Sequence, residues 1–256
     1  MKLKYDLHTH TVFSHGKGAI EDNVKAAIAA GLETIGISDH GPGHVSFGVK
    51  HSDFPVMRAE TDRLQRIYPQ IRILLGVEAN IIDDSGLLDI TPEEEKLFDY
   101  INAGYHYGVF GRRPFHAAGI HCANLLWELK HSAGAGNSRN EVYAEGSKDI
   151  KTVNTELAIK AIKRNTIMIL THPGAKADVY IEEIAKACAE RGTLMEINDG
   201  HGFLSVEGIK AAAATDVRFV ISSDAHTPER VGHFRRALQN AKDAGLDLGR
   251  IVNLEE

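Results

Sequence analysis

The amino-acid sequence predicts an α/β protein with parallel strands. Seven short apolar runs have the length and composition of β-strands, and segments with helical patterning alternate with them. Such alternation favours parallel strands that are joined by right-handed crossovers. Seven or eight units in a chain of 256 residues indicate a barrel, which could be incomplete. An open doubly wound sheet is the alternative, although no dinucleotide-binding or phosphate-loop motif follows the first strand.

The elements follow one another regularly along the chain. The predicted strands are the run that ends at Leu7 and the runs Thr34–Ser38, Ile71–Val77, Tyr100–Tyr105, Ile167–Thr171, Thr193–Ile197 and Arg218–Ser223. The predicted helices are Ile20–Ala30, Phe54–Tyr68, Glu93–Phe98, Glu156–Arg164, Ile181–Arg191, Val206–Ala214 and Pro228–Ala244. Gly31, Gly192 and Gly245 lie where helices commonly end, and Pro92 suits a first helical turn. Arg250–Leu254 is a candidate closing strand.

The bulk composition excludes several classes of protein. The formal net charge is −6 and there is no long basic run, which argues against a surface that wraps nucleic acid. No segment approaches the roughly 18 consecutive apolar residues of a membrane span. The two cysteines, Cys122 and Cys188, are too few for a disulfide framework, and the chain starts without an apolar signal segment. We therefore expect a cytoplasmic protein, and the sequence leaves its oligomeric state open.

Histidines and carboxylates stand at the ends of six of the seven predicted strands. They are His8 and His10, Asp39 and His40, Glu78, His106, His172, and Asp224 with His226. The carboxyl ends of parallel strands meet at one face of a barrel or sheet, so we expect these side chains to gather there. Imidazole and carboxylate groups in that arrangement favour a metal site.

The spacing within two of these pairs strengthens the metal interpretation. His8 and His10 are two residues apart, which places both imidazoles on one side of a strand. Asp224 and His226 repeat this spacing at the last strand. A hydrogen-bonded pair of core histidines is the alternative for the first pair alone. Asp6 could share the same face and orient a ligand from behind.

Six short motifs resemble the PHP (polymerase and histidinol phosphatase) domain family. In chain order they are Asp6-Leu-His-Thr-His-Thr11, Ser38-Asp-His-Gly41, Gly76-Val-Glu-Ala79, Ala103-Gly-Tyr-His106, Thr171-His-Pro-Gly174 and Ser223-Asp-Ala-His226. Their order covers nearly the whole chain, and the variant looks most like the stand-alone bacterial phosphatases of the family. The resemblance implies a single domain over residues 1–256, folded as a distorted seven-stranded (β/α)7 TIM-like barrel with the metal site at the carboxyl ends of its strands.

The resemblance also implies three divalent metal ions, usually zinc and sometimes manganese or iron. His8, His10, Glu78 and Asp224 would hold the first ion. Glu78 would bridge to the second ion, which His106 and His172 complete. His15, His40 and His226 would hold the third. His15 is the least secure of these because its loop departs from the family pattern, and the competing histidines are His44, His51, His201 and His233, with His201 foremost. Asp39 is read as structural.

This ligand set predicts a metal-dependent phosphoesterase. Two ions that share a carboxylate could activate a bridging hydroxide for attack on phosphorus, and three could neutralise the phosphoryl oxygens. Glu78 and Asp224 are the candidate catalytic residues, and the expected substrate is a small phosphorylated metabolite. A nuclease-type phosphodiesterase and a non-catalytic metal-binding module are the alternatives. A membrane partner is not expected, and the acidic charge balance argues against nucleic acid.

An insertion at about residues 107–151 interrupts the strand–helix rhythm. It starts directly after His106, so we expect it to rise over the active face as a lid, although a solvated surface insertion is the alternative. Arg112 and Arg113 in this insertion, together with Lys17 and Lys176 elsewhere, are candidates for binding phosphate.

Overall fold

Seven parallel strands form a nearly closed barrel in the computed structural model, which describes residues 1–82, 84–109, 124 and 149–255. A two-residue strand β1 (Lys2–Leu3) precedes the barrel. The barrel strands pair in chain order as β2 (Tyr5–Asp6), β3 (Thr34–Ile37), β4 (Arg72–Asn80), β5 (Tyr100–Gly104), β6 (Ile169–Leu170), β7 (Leu194–Asn198) and β8 (Phe219–Ser222). Thr9 forms a parallel bridge with Ala225, which joins the first barrel strand to the last. The predicted barrel is confirmed, and the open sheet is excluded.

Helices cover the outside of the barrel between the strands. They are α1 (Ile20–Ala29), α2 (Phe54–Ile67), α3 (Pro92–Glu95), α4 (Ile150–Arg164), α5 (Ile181–Arg191), α6 (Val206–Ala213) and α7 (Arg235–Asp243). The large core cluster lies between these helices and the strands. None of the helices in the described ranges is both long enough and apolar enough to cross a membrane.

Four predicted elements differ most from the structure, and the first is the helix predicted over Glu93–Phe98, which spans Pro92–Glu95. Helix α4 starts six residues before Glu156, because the Asp149 carboxylate caps it by accepting a hydrogen bond from the Thr152 amide at 2.8 Å. The predicted helix Pro228–Ala244 is split into a 3-10 turn and α7, with Gly232 at φ 76° between them.

The predicted closing strand is also different. The last strand, β9 (Leu254–Glu255), pairs antiparallel with β1 and stays outside the barrel sheet. Upstream of it, Ile251 bridges Phe219 of β8 at a single position. The carboxyl-terminal segment therefore supports the barrel from one end and adds no eighth strand to it.

A small apolar cluster of Leu7, Tyr100, Ile169 and Val220 fills the barrel interior. The Tyr100 hydroxyl donates to the Leu7 carbonyl at 3.0 Å, which links two strands that are not neighbours in the sheet. A Cβ atom at Gly36 would lie 2.1 Å from that hydroxyl, and one at Gly76 would lie 2.3 Å from the ring. Glycine at these two positions makes room for the tyrosine. The apolar layer closes the lower part of the barrel and leaves its upper end to polar side chains.

Asp6 closes the barrel where its first and last strands meet. The carboxylate is fully buried and accepts hydrogen bonds from the amides of His8, Ser223 and Gly232 at 3.3, 3.2 and 2.9 Å. Burial raises the pKa of this carboxyl, while the hydrogen bonds lower it. Asp6 is expected to orient a metal ligand from behind. In the structure it accepts a hydrogen bond from the backbone amide of His8, and another residue binds the His8 imidazole.

Replacing Asp6 by alanine should destabilise the protein substantially. Three buried amides would lose their acceptor, and unsatisfied buried donors each cost about 1–3 kcal/mol. We expect the free energy of unfolding to fall by about 3 kcal/mol or more, as measured by denaturant titration. Asp62→Ala is the matched control, because Asp62 is exposed and only pairs with Arg58. Equal effects of the two substitutions would contradict the closing role of Asp6.

Candidate metal centre

The Glu78 carboxylate is the point on which the strand-end histidines converge. It is fully buried inside β4, two residues before the strand ends. Its Oε1 lies 2.9 Å from His172 Nε2, 3.2 Å from His106 Nε2 and 3.3 Å from His8 Nε2. Its Oε2 lies 3.0 Å from a nitrogen of His40 and 3.6 Å from one of His10. One carboxylate therefore faces five imidazoles.

Several imidazoles are held with one nitrogen outward and the other toward this centre. His8 Nδ1 donates to Glu196 at 2.6 Å, and His106 Nδ1 donates to the side-chain oxygen of Asn80 at 2.7 Å. His226 Nδ1 donates to the Asp224 carbonyl at 2.9 Å. Because these acceptors can only accept, each bond places a proton on Nδ1 and makes Nε2 the nitrogen that could bind metal once it is deprotonated. Hydrogen bonds of this kind orient histidines that bind metal.

A second group of histidines lies beside the carboxylate cluster. His10, His15, His40 and His226 place their ligand atoms within 4.8 Å of one another. The same spacing holds within three further groups, which are His8, His172 and Asp224; His8, His10 and Glu78; and His40, Glu78 and His106. All nine residues that the sequence analysis selected as metal ligands fall in these groups. The structure places His15 with them, whereas His51 pairs with Glu94 at the surface.

The donor atoms fit a metal better than they fit one another. Among the described residues, buried atoms without a hydrogen-bond partner include His10 Nδ1, His15 Nδ1, His40 Nδ1, Glu78 Oε2 and His106 Nε2. Buried polar atoms without partners are unfavourable and uncommon in folded proteins. Imidazole nitrogens and carboxylate oxygens without a thiolate suit zinc, manganese or iron. The residues present therefore fit a metal-binding site.

The electrostatics keep several of these candidate ligands ready to bind a cation. Burial, and then the charge of His40 and His226, holds the pKa of His10 well below its usual value. Burial likewise lowers the pKa of His106 to about 3. Burial alone would raise the pKa of Glu78, but His106 and His8 outweigh it and hold that pKa well below the usual range. Neutral imidazoles beside an ionised carboxylate are the protonation states that metal coordination requires.

Glu196 is a functional candidate that sequence reasoning missed. It is fully buried in β7, and its two oxygens accept hydrogen bonds from His8 Nδ1 at 2.6 Å, the His172 amide at 2.6 Å and the Asn198 side chain at 2.9 Å. It lies inside an apolar run and not at its end, so a search of strand ends passes over it. The available signal was a glutamate two residues before Asn198, on the same face of a buried strand.

Other polar residues position the ligands from behind. Asp39 is structural, as expected, and it contacts the loop that carries His15. It accepts hydrogen bonds from the Thr11 amide at 2.7 Å and the Thr11 hydroxyl at 2.6 Å. Asn80, which orients His106, has its own amide bound to Asp89 at 2.7 Å. Buried hydrogen bonds thus hold the candidate ligands from behind.

Two ligand candidates have backbone conformations that non-glycine residues rarely adopt. His172 has φ 27° and Asp224 has φ 51°. Such conformations carry strain and persist where the surrounding structure imposes them. The His172 amide is held by Glu196, and Asn198 donates to Asp224 Oδ2 at 3.1 Å. The same two residues of β7 therefore hold both strained positions.

Some of the candidate substrate-binding residues lie near the candidate metal centre, and others lie outside the described residues. The Lys17 side chain is exposed, and its amide donates to the His226 carbonyl at 2.9 Å, so it borders the histidine group. Lys176 lies over the Tyr107 ring at 5.6 Å. His201, the foremost competitor for the third metal, places Nε2 3.3 Å from Asp224 Oδ2. Arg112 and Arg113 lie outside the described residues.

The chain belongs to the PHP-domain family. The sequence profile of the PHP domain matches residues 6–200. A probable phosphatase of Thermoanaerobacter sp. (strain X514) is 30% identical over 100% of this chain and 92% of its own length. A probable phosphatase of Acetivibrio thermocellus is 26% identical over 99% of this chain and 92% of its own. The family assignment made from the six motifs is confirmed.

Solved structures share the fold at low sequence identity. The histidinol phosphate phosphatase of Lactococcus lactis, solved in complex with zinc, L-histidinol and phosphate, has a TM-score of 0.58 at 17% identity and covers 95% of this chain and 94% of its own. A histidinol phosphatase candidate of Listeria monocytogenes has a TM-score of 0.55 at 17% identity, with 90% and 98% covered. These likenesses support the barrel architecture.

Replacing Glu196 by glutamine should weaken metal binding without removing a ligand. Glutamine has one acceptor oxygen and a donor amide, so it cannot accept from His8, His172 and Asn198 together. We expect the metal affinity to fall about tenfold to a hundredfold in a chelator competition assay. Glu182→Gln is the control, because Glu182 is exposed and pairs with Lys186. Unchanged affinity in Glu196→Gln would show that the carboxylate has no part in orienting His8.

Proposed function

We propose that this protein hydrolyses a small phosphate monoester at the metal centre around Glu78. The enzyme class, a metal-dependent phosphoric ester hydrolase, agrees with the PHP family and with relatives that are named probable phosphatases. The observation that carries the proposal is the single buried carboxylate that faces five imidazoles. A small phosphorylated metabolite as substrate and a cytoplasmic location belong to the same proposal.

Three divalent ions, with zinc as the first choice, are the proposed complement of the site. His8, His10, Glu78 and Asp224 would hold the first ion, and Glu78, His106 and His172 the second. His15, His40 and His226 would hold the third. When bound, these ions supply positive charge to the phosphoryl oxygens and lower the pKa of a water molecule for attack on phosphorus. Manganese or iron would suit the same donors.

The protein's own residues orient the reaction and handle its protons. Glu78 fixes the positions of the two groups of histidines relative to each other, because both of its oxygens face imidazole nitrogens. Asp224 Oδ2 lies 3.3 Å from Nε2 of the partly exposed His201, at the edge of the centre. We propose that this pair accepts the proton that the attacking water loses and passes it from His201 to the departing alkoxide, while Asp224 would also bind metal.

The insertion at about residues 107–151 is proposed as a lid over this face. Its described beginning supports this placement. The Val45 amide donates to the Gly108 carbonyl at 3.0 Å, and His44 bridges Val109, so the segment leaves the barrel beside the His40 loop. Asn124 is buried and exchanges hydrogen bonds with Asn154 of α4 at 2.8 and 3.1 Å. Residues 107–109 thus lie close to the candidate ligands.

The proposal is tested by assaying metal-loaded protein against a panel of phosphate esters. We expect release of inorganic phosphate from monoesters and little or no cleavage of phosphodiesters such as short oligonucleotides. Preferential cleavage of phosphodiesters would favour the nuclease alternative. Metal binding without hydrolysis of any ester would favour the non-catalytic module and contradict the proposed function.

Replacing Glu78 by glutamine should abolish most activity and release more than one ion. One carboxylate serves two proposed sites, so its loss affects both. We expect phosphatase activity to fall about a hundredfold or more, and elemental analysis to show the loss of more than one ion per chain. His51→Ala is the control, since His51 is exposed and pairs with Glu94. A Glu78→Gln variant that keeps its metals and most of its activity would exclude the bridging role.

Replacing Arg112 and Arg113 together by alanine tests the lid. A guanidinium can hold two phosphate oxygens at once, and these residues follow His106 by six and seven positions. We expect kcat/KM to fall by an amount that corresponds to about 1–3 kcal/mol of transition-state binding, with metal content unchanged. Kinetics that stay at the wild-type level across several substrates would show that neither arginine contributes to substrate binding.

A further inference from the structure

Asp89 is a half-buried carboxylate that lies behind two of the strand ends that carry candidate ligands. After β4 the chain turns back, and an antiparallel bridge between Ile81 and Leu88 places Asp89 beside Asn80. Asp89 Oδ1 accepts a hydrogen bond from the Asn80 amide at 2.7 Å, and Oδ2 accepts one from the Gly43 amide at 2.8 Å. One carboxylate therefore joins the end of β4 to the loop that follows β3.

The loop after β3 packs directly against this carboxylate. A Cβ atom at Gly41 would lie 2.3 Å from Asp89 Oδ1, and one at Gly43 would lie 2.9 Å from Oδ2. The Gly41 amide also donates to the backbone carbonyl of Glu78 at 2.8 Å. Because no side chain fits between the loop and the carboxylate, Asp89 has a fixed position relative to both strand ends.

Asp89 determines how the side-chain amide of Asn80 is oriented. Asn80 is fully buried, and its Nδ2 donates to Asp89 Oδ2. An ionised carboxylate can only accept hydrogen bonds, so the amino group of Asn80 must face Asp89 and Oδ1 must face the other side. That oxygen lies 2.7 Å from Nδ1 of His106. The proton in this hydrogen bond therefore belongs to His106.

Glu78 competes with Asn80 for the single proton of the His106 imidazole. Burial lowers the pKa of His106 to about 3, so the imidazole is neutral at neutral pH and carries one proton. Glu78 Oε1 lies 3.2 Å from Nε2 of His106 and would accept a hydrogen bond if the proton were on that nitrogen. An Nε2 that carries a proton cannot bind metal. The contacts behind His106 thus decide whether Nε2 faces the centre with a lone pair.

We propose that Asp89 is a positioning residue that acts through Asn80 to keep the proton of His106 on Nδ1, so that Nε2 can bind a metal ion. The inference rests on the proposed metal centre and deepens it, because it assigns the control of one ligand to a carboxylate two hydrogen bonds away. Loss of Asp89 would free the Asn80 side chain to turn its amino group toward His106. Nδ1 would then have to accept, and the imidazole proton would lie on Nε2, where Glu78 accepts it.

Nitrogen-15 NMR spectra of histidine-labelled, metal-free protein report the tautomer directly. We expect His106, assigned by the signal that is missing in His106→Gln, to carry its proton on Nδ1 in the wild-type protein at neutral pH. Asp89→Ala should shift the tautomer ratio toward Nε2 by about tenfold or more, because the hydrogen bond that fixes the Asn80 side chain is lost. The affinity for zinc should fall by about tenfold or more in a chelator competition assay.

Exchanging the two side chains provides a rescue. In the double variant Asn80→Asp, Asp89→Asn, the carboxylate introduced at position 80 accepts from His106 Nδ1 with one oxygen and from the new amide at position 89 with the other. We expect the wild-type tautomer and a zinc affinity within about threefold of the wild type. Asp149→Ala is the control, because Asp149 is exposed and also accepts from a backbone amide, that of Thr152 at 2.8 Å. It should change neither the tautomer nor the affinity.

The tautomer and the affinity separate a positioning role from a structural one. A proton on Nε2 of His106 in the wild-type protein would overturn the inference, whether or not Asp89→Ala folds. An Asp89→Ala variant that is less stable but keeps the wild-type tautomer would show a purely structural role, and a double variant without rescue would also contradict the inference. These results are read without substrate and leave the proposed function intact. Wild-type protein that binds no metal would instead overturn the proposed function and this inference with it.

Discussion

The architecture of this site depends on one buried carboxylate. Glu78 has no exposed surface, and five histidine nitrogens from four strand ends lie within 3.6 Å of its two oxygens. Burying so many imidazoles away from water is unfavourable without a bound cation, because buried donors and acceptors are left without partners. The parallel barrel makes the gathering possible, since every strand delivers its carboxyl end to the same rim. Metal ions would convert the unfavourable cluster into a favourable one.

The barrel keeps this cluster in place through buried hydrogen bonds at two depths. Asp6 ties the first and last strands together below the ligands. Glu196 and Asn198 of β7 then hold His8, His172 and Asp224 from behind, including the two strained backbones. Buried carboxylates also change the pKa values of the histidines that they contact. Burial opposes a charge on His8, but Glu196 and Glu78 raise its pKa well above the usual value. Metal binding at this position would therefore release a proton, and we expect affinity to rise with pH.

The sequence predicted the strands that carry the candidate ligands well, because a polar residue at the end of an apolar run is a local signal. The sequence was less informative where a structural feature depends on contacts between distant parts of the chain. The break before α7 depends on Gly232 bonding to Asp6, more than 200 residues away. Glu196 was missed because its role depends on His8 and His172, which only the barrel brings close. The position of His15 beside His10, His40 and His226 likewise depends on the path of its loop, and Asp39 shapes that path by holding Thr11 and Ser14.

We propose that the residues around Glu78 bind several metal ions and that hydrolysis of phosphate monoesters requires these ions. This is tested by removing metal with a chelator and titrating zinc or manganese back while recording bound ions and phosphate release together. We expect no activity in the metal-free protein and a rise to full activity as about three ions bind per chain. Full activity with one ion or fewer, or hydrolysis by the metal-free protein, would contradict it.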